Sequence, residues 1–91
     1  MNSIAHISFP GGGLVVPSRT PYERELLVEH TEAAAKRHGA VHLLLDSRCW
    51  TIAPTDRPVD PCTSCSGRPG RLTYRLEGRA FCGQCARNAL H

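Results

Sequence analysis

Four of the five cysteines in this 91-residue chain fall in two pairs, Cys62 with Cys65 and Cys82 with Cys85, spaced C-x2-C-x16-C-x2-C. So short a chain buries only about 60–65% of the surface its unfolded form exposes, which leaves an apolar core alone marginal. Two cysteine pairs supply what such a core lacks. Two intervening residues permit a tight turn that aims both sulfurs at one ion about 2.3 Å away. The longer spacer holds a short hairpin that returns the second pair to the same ion. Turn formers stand where the geometry needs them, Ser66-Gly67 after the first pair and Gly83 inside the second. The spacing therefore predicts one structural Zn²⁺ held by Cys62, Cys65, Cys82 and Cys85.

Other chemistries share parts of this pattern. Two disulfides would require an oxidising compartment. The N-terminal residues Met1–His6 carry no basic stretch leading into an apolar run, so no secretory signal is expected. A redox C-x2-C needs a βαβ context that is missing around these pairs. Iron takes the same spacing in rubredoxin-like sites, and ligand softness alone does not separate the two metals. His91 lies six residues past Cys85 and is an alternative fourth ligand. Four thiolates close the metal's shell, whereas catalytic zinc keeps a position open for water, so the predicted ion is structural and the chain is not expected to be an enzyme.

Upstream of the cysteines the pattern predicts an α+β arrangement of hairpin, helix and hairpin over residues 1–53. Ile4–Phe9 and Leu14–Val16 are β-prone and flank Pro10-Gly11-Gly12-Gly13. No lysine follows these glycines, so they make a turn rather than a phosphate-binding loop. Thr20, Pro21 and Glu23 form the signature of a capped helix start, and Lys36-Arg37-His38 before Gly39 its end, giving a helix over 21–38. Its apolar stripe is read as Tyr22, Leu26, Leu27, His30, Ala33 and Ala34. Ala40–Leu45 and Cys49–Ala53 predict a second hairpin, followed by a proline-rich connector over 54–61 and the metal-binding unit over 62–91. No apolar run approaches the ~18–20 residues of a membrane span, so a cytoplasmic protein without membrane contact is expected.

Within 62–91 the order is a cysteine knuckle, a hairpin through Leu72-Thr73-Tyr74-Arg75 and Gly78 to Phe81, then Cys82-Gly83-Gln84-Cys85-Ala86 opening a helix. These residues resemble treble-clef C4 zinc fingers, of which the GATA type has similar spacing. The resemblance spans about the last thirty residues and implies a treble-clef-like fold. GATA-type fingers carry Asn inside both cysteine pairs and a long helix with a basic tail. Here Thr63-Ser64 and Gly83-Gln84 occupy those places and the sequence ends at His91, so the resemblance bears on fold more than on DNA reading.

Charge points to partners. Residues 61–91 contain five arginines (Arg68, Arg71, Arg75, Arg79, Arg87) against Glu77 alone, while residues 1–60 are nearly balanced. A Zn²⁺ with four thiolates lowers the chain from its formal +3 to about +1. Arginine's planar fork suits phosphate and base edges, so Arg71, Arg75, Arg79 and Arg87 are the candidate contacts to DNA or RNA. The leading expectation is a nucleic-acid-binding or transcription-associated regulator. A protein–protein adaptor is the alternative, with a protein partner in place of nucleic acid. A third, enzymatic reading would use Cys49 as nucleophile with His42 as base. Tyr74 and Phe81 are expected to fill the small core beneath the metal rather than to stack on bases, and His30 and His38, two turns apart, to hold no metal.

Overall fold

A computed structural model describes residues 4–56 and 60–90. Arg57, Pro58 and Val59 of the connector, and His91 as an alternative ligand, lie outside the described residues. The elements run β1 (Ile4–Phe9), β2 (Gly12–Pro17), α1 (Pro21–His38), β3 (Val41–Leu45), β4 (Arg48–Pro54), β5 (Leu72–Leu76), β6 (Arg79–Phe81) and α2 (Gly83–Leu90). All six strands join one antiparallel sheet in the order β2-β1-β3-β4-β5-β6. The chain is thus α+β, and the hairpin of the cysteine-bearing segment continues the sheet begun by the N-terminal strands.

Local chemistry sets the elements. Thr20 Oγ1 accepts from the Glu23 N–H at 3.1 Å, and Glu23 Oε1 accepts in return from the Thr20 N–H at 3.0 Å, closing the capping box. The helix stops at Gly39, whose φ of 90° lies in the region glycine tolerates and whose N–H donates to the Ala35 carbonyl. Asp46-Ser47 and Glu77-Gly78 have positive φ at both central positions, the geometry that matches a two-residue hairpin turn to strand twist.

Alternation along the strands gives the sheet two unlike faces. Ala5, Ile7, Val41, Leu43, Leu45, Trp50, Ile52, Leu72 and Tyr74 are buried on one face, beneath α1 and α2. Trp50 meets Tyr74 edge-on at 6.4 Å and Phe81 at 5.7 Å, so β4, β5 and β6 share one aromatic cluster. Both rings therefore belong to the main core rather than to a separate one under the metal. The opposite face leaves Ile4, Val15 and Leu44 about half exposed or more.

The helix face differs from the expected stripe. Leu27, Val28, Thr31, Ala34 and Ala35 are buried, while Tyr22, His30 and Ala33 are exposed. The burying face is rotated by about one residue. Runs such as Leu26-Leu27-Val28 and Ala33-Ala34-Ala35 have no polar member to fix the phase of the stripe, and the sheet decides it instead. Thr31 pays no penalty for its burial because its hydroxyl donates to the Leu27 carbonyl at 2.7 Å.

Leu43 and Leu44 are neighbours on opposite faces, 0% and 47% exposed. Leu43→Ala should cost about 2–5 kcal/mol, and Leu44→Ala about 0.5 kcal/mol or less, compared as urea midpoints. Equal losses would mean that the two faces have been assigned wrongly.

Candidate metal centre and basic surface

The knuckle is built by its backbone. The Cys62 N–H donates to the Gly67 carbonyl and the Ser66 N–H to the Cys62 carbonyl, both at 2.8 Å. The Thr63 N–H donates to the Ala80 carbonyl at 2.8 Å, which moors the knuckle to β6. Gly67 donates to Cys65 Sγ at 3.4 Å, and a Cβ at Gly67 would stand 3.3 Å from that sulfur, so glycine leaves the approach free. Cys82 ends the hairpin and Cys85 lies in the first turn of α2, with the Cys85 N–H directed at Cys82 Sγ at 3.5 Å.

These elements bring the sulfurs of Cys62, Cys65, Cys82 and Cys85 within 4.8 Å of one another. Tetrahedral ligation at about 2.3 Å places sulfurs roughly 3.8 Å apart, and Cys65 and Cys82 stand at 3.8 Å. None of the four is in a disulfide. The donor set therefore fits a metal ion with four thiolates.

Without a cation the thiols hold their protons unequally. Burial raises the Cys62 thiol, but the backbone N–H groups of Cys82, Cys65 and Ser64, with the Cys65 side chain, outweigh it and bring it to about 6. Cys85 is pushed up to about 12, first by its hydrogen bond with Cys82, then by burial and by Cys65 and Cys62. The two shifts act oppositely on the metal-free fold above about pH 9, the lowered Cys62 thiol favouring it and the raised Cys85 thiol disfavouring it.

The four candidate arginines do not share one surface. Arg75 lies on the outer face of β5, where Nη1 donates to Asp60 Oδ2 at 3.2 Å. Arg79, opposite Leu76 in the hairpin, belongs to the other face of the sheet. Arg71 and Arg87 come together, lining a cleft with Glu32, Lys36, Gly70, Leu72 and Gly83. The Glu77-Gly78 turn carries the signal for this division, because a two-residue turn sets Leu76 against Arg79 and sends Arg75 the opposite way.

Two residues missed in the sequence, Glu32 and Lys36, belong to this region. Glu32 on α1 accepts from Tyr74 Oη at 3.0 Å and from Arg87 Nη2 at 2.7 Å, tying α1, β5 and α2 together. Burial, then the Glu32 charge and hydrogen bond, raises the Tyr74 phenol, so the ring stays neutral. The hydrogen bond and charge of Glu32 also raise Arg87. Lys36 stands one helical turn beyond Glu32. No local pattern marks these side chains, because their partners are distant in sequence. A second tie secures the last residue of α2, where Arg24 Nη1 donates to the Leu90 carbonyl at 2.9 Å and Nη2 to Asp46 at 3.2 Å.

Cys49 is exposed on the outer face opposite Leu44, whereas His42 sits opposite Thr51 and shares a 3.3 Å contact with its hydroxyl. Among the described residues, no helix is long and apolar enough to cross a membrane.

Tyr74→Phe keeps the packed ring but removes one of the two donors to Glu32. It should cost about 1–3 kcal/mol, read as a fall in Tm. An unchanged Tm would show that the Glu32 contact does not hold the two halves together.

The chain matches no protein-family model, no curated protein and no solved structure.

Proposed function

We propose that this chain is a zinc-stabilised binding protein, treble-clef-like in its C-terminal segment, that acts on nucleic acid by binding and not by catalysis. The convergence of four free thiols carries the metal assignment, and zinc is the ion that such a closed four-thiolate shell suits as a structural element. A cytoplasmic setting would keep those thiols reduced. Arg68, Arg71 and Arg79 form no ion pair among the described residues and supply cations for phosphate. Arg87, held by Glu32, adds a donor beside Arg71, while Arg75, held by Asp60, faces the other side of the sheet.

A second reading, a zinc-stabilised protein–protein adaptor without direct nucleic-acid contact, is favoured by the outer sheet face. There the register sets Val15, His6, Leu44 and Cys49 in one row across four strands, with Ile4 beside it. Salt separates the two. A nucleic-acid complex should weaken steeply with salt, log K falling in proportion to the phosphates neutralised. No saturable binding to DNA or RNA at low salt would abandon the first reading in favour of the second.

The metal has its own test. Elemental analysis should find one zinc per chain, lost in Cys82→Ser and retained in Cys49→Ser. Uptake at neutral pH should release protons, and acidification should expel the ion as the thiolates regain theirs. Chelation should speed hydrogen exchange over 62–70 and 83–90 before it reaches β3 and β4. Exchange unaltered by chelation would remove the metal from the account.

A further inference from the structure

The cleft between α1 and the cysteine-bearing segment has a volume of about 230 Å³ and is walled by Glu32, Lys36, Gly70, Arg71, Leu72, Gly83 and Arg87. Three cations surround a single carboxylate. That carboxylate is already engaged, since Glu32 accepts from both Tyr74 and Arg87. Lys36 and Arg71 have no acidic partner among the described residues, and both are exposed. Cations of the cleft lining thus outnumber its carboxylate by two, and Glu29, on the other side of Arg87, offsets part of that excess.

We infer that this cleft takes a phosphate group, presented by the backbone of a bound polynucleotide. Arg71 and Arg87 supply fork-shaped donors and Lys36 a point charge, the combination that recognises phosphate. Glu32 acts as a positioning residue, fixing Arg87 through one oxygen while Tyr74 holds the other. Glycines leave the walls open: nothing would stand within 4 Å of a Cβ at Gly70, and only Glu32 Oε2, at 4.0 Å, near one at Gly83. The start of α2 adds little charge of its own, because the Cys85 and Ala86 N–H groups already face the sulfur and carbonyl of Cys82. The site joins Lys36, from the N-terminal part, to two arginines of the metal-binding segment. It rests on the nucleic-acid reading for the source of the phosphate, but not for the phosphate chemistry itself.

The test uses the metal-loaded, ¹⁵N-labelled full chain titrated with inorganic phosphate, against sodium chloride at matched ionic strength. Saturating shifts are expected at the Gly70 and Gly83 amides and the Arg87 side chain, and are expected to vanish in Lys36→Ala and Arg71→Ala. Arg37→Ala removes the same charge one position along α1, outside the cleft, and should bind phosphate as the unaltered chain does. With a labelled oligonucleotide, Lys36→Ala and Arg71→Ala should each weaken binding about tenfold and lower the salt slope by about one. Absent or non-saturating shifts, or an Arg37→Ala effect equal to that of Lys36→Ala, would overturn the cleft. An oligonucleotide bound equally by all variants would overturn it too, while leaving the nucleic-acid reading in place. Phosphate bound in the cleft by a chain that ignores oligonucleotides would uphold the site for free phosphate or a phosphate monoester and end the nucleic-acid reading.

Discussion

The seam between β4 and β5 holds the molecule together. Its register, from Trp50 opposite Leu76 to Pro54 opposite Leu72, joins the N-terminal sheet to the strands that carry the second half of the chain. Because Ile52 faces Tyr74 across this seam, the tyrosine enters the common core and its hydroxyl reaches Glu32 on α1. The same pairing sets β6 at the sheet's edge, where the Ala80 carbonyl receives the knuckle. Everything that brings the second cysteine pair back to the first passes through these strand pairs.

Two kinds of interaction then share the work of fixing the C-terminal segment. Burial anchors it from within, through Leu72, Tyr74, Ala86 and Leu90 in the core cluster. Polar ties hold the C-terminal half of α2, Arg87 to Glu32 and the Leu90 carbonyl to Arg24. The knuckle has less of this support. Cys62 and Pro69 are buried there, but its other residues from Cys65 to Gly70 are exposed, and few backbone hydrogen bonds connect it to the sheet. A cation among the four sulfurs is the interaction best placed to supply the missing constraint, which is why the effect of chelation is expected first in that segment.

The sequence made legible what depends on near neighbours. The capping box at Thr20 and Glu23, the turn residues, the two N-terminal hairpins and the cysteine spacing all act within a few residues or through a short loop. The phase of α1 was not legible, because three successive alanines and the Leu26-Leu27-Val28 run look alike from every side. Nor was the joining of β4 to β5, since they are separated by a connector and a knuckle that carry no pairing signal. The Glu32–Tyr74–Arg87 contact followed the same rule, spanning 42 and 55 positions. The division of Arg75 from Arg79 was present in the turn between them and emerges once the hairpin register is counted.

Net charge would be a poor guide to phosphate binding by this chain. Metal ligation by four thiolates would leave about +1 overall, too little for long-range attraction to a polyanion at physiological ionic strength, where the Debye length is about 8 Å. Local arrangement must therefore do what total charge does not. Arg75 pairs with Asp60 and lies on the outer face, and Arg79, at the sheet's edge, forms no ion pair among the described residues. Beside Glu32, cations from α1 and from the cysteine-bearing segment line one cleft, and there the carboxylate orients Arg87 while Lys36 and Arg71 form no ion pair among the described residues. A ligand drawn to that point would meet directed donors rather than a diffuse field. Binding of this kind depends on the packing of α2 against α1, and so on the same seam that assembles the cysteines.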